Sequence, residues 1–273
     1  PASAMERWNG GVPCPRLLFY GANQIRGENM AKLARTIVSL GLVTMALTAS
    51  AAGGWDVTGN VALTTDYIYR GISRTDTDPA IQGGFDAAHD SGFYTGIWGS
   101  NVQFAGSLEL DYYAGFSNII NDQISYDIGM IYYDYPGGNL DSGMDPEYWE
   151  MYGGLGYDFG QAMASGKISY SDDYFGETDT GFYYEAGLDV PLPQEFALAL
   201  HVGYQTIDEG EASEGGFFSS EEDSYVDWSV GIAREFAGIG FGVTASGTDL
   251  DGDDCFKTDV CDTTIVFTIS KTM

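Results

Sequence analysis

Charged side chains recur on one side of an alternating pattern through most of this chain. The set is Asp66, Arg70, Asp86, Glu109, Asp111, Asp127, Glu150, Lys167, Glu185, Asp189, His201 and Asp227. Carboxylates dominate it, with Arg70 and Lys167 as the cations and His201 neutral or weakly charged. If these residues line a channel, their excess negative charge lowers the energy of a cation inside and raises that of an anion. That chemistry is selective passage, with no covalent step. Catalysis has little to work with, because the chain holds two histidines. His89 lies beside Asp90-Ser91, residue types that a Ser-His-Asp relay uses, but the segment reads as a solvated turn. His201 reads as a lone interior or girdle residue rather than a metal ligand. Asp249-Leu250-Asp251-Gly252-Asp253-Asp254 has the composition of a calcium loop. An EF-hand wants Gly at its sixth position and Glu at its twelfth, and this chain has Asp254 and Val260 there. We assign no catalytic residue, no metal ligand and no cofactor. Weak calcium or magnesium binding by acidic loops stays open.

The elements that must position these residues are β-strands. Val61 and Leu63 alternate with Asn60, Ala62 and Thr64, and the pattern carries on to Tyr69 and Arg70. Ile81 and Phe85 alternate with Gln82 and Asp86. Leu108, Leu110 and Tyr112 alternate with Glu109, Asp111 and Tyr113. The same period of two returns over 124–132, 148–159, 164–170, 182–190, 196–204, 226–236, 239–245 and 263–269. Apolar residues on one face and polar ones on the other, over about ten residues, are the pattern of transmembrane barrel strands. The count is about twelve. Connections alternate short (90–92, 118–122, 160–162, 191–194, 237–238) and long (71–79, 103–107, 136–146, 171–180, 206–223, 248–262). The fold class is therefore all-β: an antiparallel transmembrane barrel with short periplasmic turns, long acidic external loops and both barrel ends on the periplasmic side. Large polar-face residues (Tyr113, Tyr133, Tyr148, Tyr152 and Tyr183) leave open whether the interior conducts or is filled, since twelve strands lie between the filled eight-stranded barrels and the aqueous 16–18-stranded ones.

Composition agrees with one β-rich unit: 273 residues with 38 Gly, 19 Tyr and 15 Phe. Mean hydropathy is −0.12, as expected when interior polar residues dilute an apolar exterior. Residues 30–51 read as a secretory signal peptide. Met30-Ala31-Lys32-Leu33-Ala34-Arg35 is the basic region, Ile37–Leu47 the apolar region and Ala49-Ser50-Ala51 the cleavage site. Residues 1–29 are expected to be an upstream artefact or an extended basic region from Met5, and 52–273 the barrel. From residue 52 onward 38 acids stand against 6 bases, which argues against nucleic acid and against binding through an anionic-lipid surface. The charge fits acidic loops that recruit divalent cations, a saline habitat, or solubility alone. Cys14 precedes the cleavage site, so Cys255 and Cys261 remain and are expected to pair, as exported proteins allow. The last strand carries Ile265, Phe267, Ile269 and Met273 on one face. Lys271 interrupts it, and Met stands where barrel C-termini carry an aromatic.

One stretch also resembles a known family. Leu63 to Asp76, then Asp78-Pro79-Ala80-Ile81-Gln82-Gly83 and Gly92 to Val102, are similar to the TorF-type family of outer-membrane porins of Gram-negative bacteria. The resemblance falls on Asp66, Tyr67, Arg70, Gly71, Ser73, Thr75, Asp76, Pro79, Gln82 and Gly83. It implies an outer-membrane barrel. Locally, Arg70 is expected to pair with Asp66 or Asp86 across the first hairpin, and Gly71 to permit a sharp bend.

The function expected is passive diffusion of small cationic or neutral solutes across the outer membrane. Lipopolysaccharide and the barrel-assembly machinery are the expected partners. The alternative is a non-conducting barrel whose acidic loops bind divalent cations, surface lipid or a partner. A soluble periplasmic barrel would need a polar outer face, and the repeated Tyr, Trp, Phe, Leu, Val and Ile exclude that.

Overall fold

A computed structural model describes residues 54–138, 140, 145–208, 223–255 and 258–273. The signal-peptide assignment, Cys14 and most of the 206–223 loop lie outside them. Twelve strands close into one antiparallel barrel. They are β1 (Trp55–Thr64), β4 (Ala80–His89), β5 (Phe93–Asn101), β6 (Leu108–Ile119), β7 (Ile124–Asp134), β8 (Tyr148–Asp158), β9 (Met163–Ser171), β10 (Gly181–Pro191), β11 (Phe196–Ile207), β12 (Ser224–Phe236), β13 (Ile239–Thr248) and β14 (Thr264–Thr272). A two-stranded hairpin, β2 (Ile68–Tyr69) with β3 (Ile72–Ser73), stands apart from the wall. Each barrel strand pairs with its neighbour along the chain, and β14 closes onto β1 from Asn60↔Thr272 to Thr64↔Thr268.

The alternation read from the sequence sets which side each residue takes. On β7, Ile128 and Met130 point out and are 55% and 51% exposed, whereas Asp127, Ile131 and Tyr133 are buried inside. Phe85 and Ile81 on β4, Leu155 on β8 and Ile265 and Phe267 on β14 are likewise exposed on the outside. A midplane Arg or Lys on such a face would cost about 2–4 kcal/mol and a carboxylate somewhat less, so charges of either sign are driven inward. At a rise of about 3.4 Å per residue, an 11-residue strand tilted by about 45° reaches about 26 Å along the barrel axis, the height of an outer-membrane apolar band.

Short turns gather at one end, with both barrel termini. The tightest joins β12 to β13 through Ala237 and Gly238, with φ of 52° and 74°, the doubly left-handed turn that matches strand twist. There Lys271 Nζ donates to the Gly238 carbonyl at 3.1 Å. A basic residue that shares the outward phase of Ile265, Phe267 and Ile269 is thus spent on the turn.

The first strand differs from its sequence reading. It ends at Thr64, and the chain turns off the wall before Asp66 and Arg70, which belong to the loop and the β2–β3 hairpin. Two local causes are visible. Asp66 Oδ1 accepts from Ser73 Oγ at 2.7 Å and Thr75 Oγ1 at 2.9 Å, folding the segment on itself. Arg70 and Gly71 then take φ of 47° and 80°, a tight reversal that aims the hairpin tip into the barrel.

Candidate functional site: the barrel interior

The interior is built in two halves. Towards the turns lie Asp86, Asp189, Glu185 and His201, all partly accessible. Asp86 accepts from the Tyr113 hydroxyl, and Asn60 Nδ2 lies 3.5 Å from its other oxygen. At mid-height Tyr94 donates to Asp127 at 2.7 Å and also meets the Tyr152 hydroxyl. Beside them, Lys167 Nζ lies 5.5 Å from the centre of the Tyr152 ring and pairs with Glu185 at 2.6 Å. Tyr183 donates to Asp227 at 2.9 Å, and His201 Nε2 lies 3.0 Å from the same carboxylate. Glycines make room for these rings. A methyl on Gly115, Gly129 or Gly203 would collide with the hydroxyl of Tyr94, Tyr152 or Tyr183 respectively.

Towards the loops the interior is filled by the β2–β3 hairpin. Arg70 Nη2 pairs with Glu150 at 2.7 Å and Nη1 donates to Gln205 Oε1 at 2.6 Å. Its guanidinium also lies over the Tyr183 ring at 4.0 Å. Tyr67 donates to Glu109, and Tyr69 to the Tyr133 hydroxyl at 3.0 Å, while Tyr148 donates to Tyr69 at 3.3 Å. Gly71 sits where a Cβ would come within 2.5 Å of Thr248 Cγ2 and 2.8 Å of Asp227 Cβ. Above this layer Arg74 lies against the Tyr69, Phe104 and Phe175 rings. The described residues of the loop after β13 close the top, with Leu250, Cys255 and Cys261 buried. Cys255 and Cys261 are bonded to each other, and the Val260 carbonyl accepts from Ser73 N at 2.8 Å.

Asp86, Glu109, Asp111, Asp127, Glu150, Lys167, Glu185, Asp189, His201 and Asp227 therefore all project inward from strands. Asp66 and Arg70 reach the interior from the hairpin loop. The expected Arg70 partners were Asp66 or Asp86. The structure gives it Glu150 instead, 80 residues along the chain, because the inward turn carries it past the first hairpin to the far wall. Of the motif residues, Asp66, Ser73 and Thr75 shape the loop, and Tyr67, Arg70 and Gly71 seat it. Gln82 is buried on β4, Gly83 packs beside the Asn60 carbonyl, and Asp76 and Pro79 are exposed in the loop. Arg74 and Gln205 were overlooked. Gln205 keeps the phase of His201 on β11, a signal that was there to be read. Arg74 carried none beyond its place in the stretch from Leu63 to Asp76.

His89 stays in its exposed turn, where Nδ1 meets Ser91 Oγ at 2.8 Å and accepts from Ser91 N at 3.1 Å. These bonds close a local turn. Among the described residues no group of three or more His, Cys, Asp or Glu is arranged to hold a metal ion.

No curated protein matches this chain. Two solved porins share its fold. The NanC porin matches with a TM-score of 0.52 at 9% identity, covering 79% of this chain and 98% of that one. The KdgM porin matches with a TM-score of 0.51 at 7% identity, covering 79% and 97%. At such identity the likeness is one of fold. The Gcw_chp family profile matches residues 48–273, which include every strand described above, and the chain belongs to this family of bacterial proteins of unknown function.

Proposed function

We propose that this protein is an outer-membrane porin of the TorF type that passes small cationic or neutral solutes. The single observation that carries the reading is the pairing of a predominantly apolar outer band with an interior whose strand-borne charges are mostly carboxylates. The band fits lipid, and the interior favours cations. Aromatic side chains near the turn end, Trp55, Phe93, Tyr157 and Phe159, fit a girdle at the inner membrane interface. Export by residues 30–51, contact with lipopolysaccharide and insertion by the barrel-assembly machinery belong to the same reading. The seated hairpin closes the loop end, so conduction requires it to move. A second reading rests on that filled interior: a barrel that never conducts and whose acidic loops bind divalent cations, surface lipid or a partner.

Single-channel current across a planar bilayer under a KCl gradient separates the two. Discrete steps reversing towards the potassium equilibrium potential are expected. Reversal towards chloride would sink the cation preference. Silence from both the wild type and a Gly71→Ala variant with an unseated hairpin would leave the second reading.

A further inference from the structure

Arg70 shows what the barrel wall recognises. We infer that Glu150, Gln205 and Tyr183 form a binding site for a terminal guanidinium group, which the protein's own Arg70 occupies when the barrel is closed. The inference rests on the porin reading only in that it names a solute class for that path.

The site is held in shape by wall residues. Gln205 spends its amide N–H groups on the Phe182 carbonyl at 3.1 Å and the Thr206 carbonyl at 3.0 Å, which turns Oε1 to the interior as an acceptor. Glu150 Oε2 takes a further bond from Tyr133 at 3.3 Å. Tyr183 is anchored through its hydroxyl to Asp227 and lays its ring against the guanidinium at 4.0 Å. A carboxylate, a fixed carbonyl oxygen and an aromatic face together suit a planar, delocalised cation, which forks between acceptors and stacks. A compact ammonium can donate to both oxygens but has no planar face to lay on the ring.

The tethered occupant fits imperfectly. Arg70 is 2% exposed, yet its Nε has no acceptor among the described residues. Recognition therefore runs end-on, through Nη1 and Nη2, and a free alkylguanidinium makes the same contacts without the left-handed backbone at Arg70. A free solute must still outcompete a ligand tethered at an effective concentration in the millimolar range or above. When it does, Arg70 is displaced and the hairpin loses its principal hold on the far wall.

Methylguanidinium chloride is the probe, with tetramethylammonium chloride at equal ionic strength as the control. In calorimetry on the refolded barrel, Arg70→Ala should bind methylguanidinium, and Arg70→Ala with Glu150→Gln should bind it at least tenfold more weakly. In the wild type, methylguanidinium should speed chymotryptic cleavage after Tyr69 at concentrations at least tenfold above the Kd of Arg70→Ala. Tetramethylammonium should not. Equal binding by the two variants, or equal acceleration by the two salts, overturns the inference. If Arg70→Ala does not fold, wild-type cleavage compared at equal, stepwise-raised concentrations of the two salts decides alone. Neither readout needs current. A barrel that binds methylguanidinium but never conducts keeps this site and loses the porin reading, and a conducting barrel indifferent to it does the reverse.

Discussion

Gly71→Ala should unseat the hairpin without opening the barrel wall. Gly71 has φ of 80°, and an added Cβ would lie 2.5 Å from Thr248 Cγ2 and 2.8 Å from Asp227 Cβ. A left-handed conformation costs an alanine about 1–2 kcal/mol. Overpacking against two wall residues adds about 1–3 kcal/mol. The seated state is then disfavoured by roughly 2–5 kcal/mol, and each 1.4 kcal/mol is tenfold in population. The unseated fraction should rise by roughly 30-fold to a few thousand-fold. Trypsin added outside proteoliposomes reads this at the Arg74–Thr75 bond, which the substitution leaves unchanged, because cleavage follows the open population when reclosing is fast. Gly137→Ala is the control. Gly137 has φ of 72° with nothing within 4 Å of an added Cβ, so it reports backbone strain away from the hairpin. A rise of less than about threefold at Arg74–Thr75, with the barrel still heat-modifiable on a gel, would refute the seat described for Gly71.

Glu150→Gln leaves the Arg70 charge buried and unpaired, a loss of about 3–5 kcal/mol, so the same tryptic cleavage should rise steeply, and no change would show that the ion pair does not hold the hairpin. Reducing the Cys255–Cys261 bond releases a seven-residue ring worth about 2 kcal/mol by chain entropy; because Val260 holds Ser73, cleavage should rise several-fold, and equal rates in reduced and oxidised protein would refute that coupling. Tyr94→Phe removes the donor to Asp127 at mid-barrel and should lower stability by about 1–3 kcal/mol, measured as the midpoint shift in urea unfolding from lipid vesicles, with an unshifted midpoint as the refuting result.

A period of two assigns each strand residue to a face, and lipid or water then decides which face is apolar. That is why the inward positions of Asp86, Glu109, Asp127 and Asp227 could be read along the chain, together with the strand count and the alternation of short and long connections. The same rule misled at the first strand. Val61 to Tyr69 keeps its alternation, yet the wall ends at Thr64. Nothing about an arginine marks it for a left-handed conformation, and the bonds from Ser73 and Thr75 to Asp66 that turn the chain inward are side-chain choices that no periodicity records. Periodicity also says nothing of what lies across a closed barrel. Arg70 meets Glu150 and Gln205, 80 and 135 residues away, because strand number and closure set the width of the interior and the loop's length sets its reach. Composition and spacing along the chain were enough for a carboxylate-rich barrel. Its closed loop end, with one guanidinium held between two walls, exists only once all twelve strands have met, since the contacts that seat the hairpin join segments that sequence distance keeps apart.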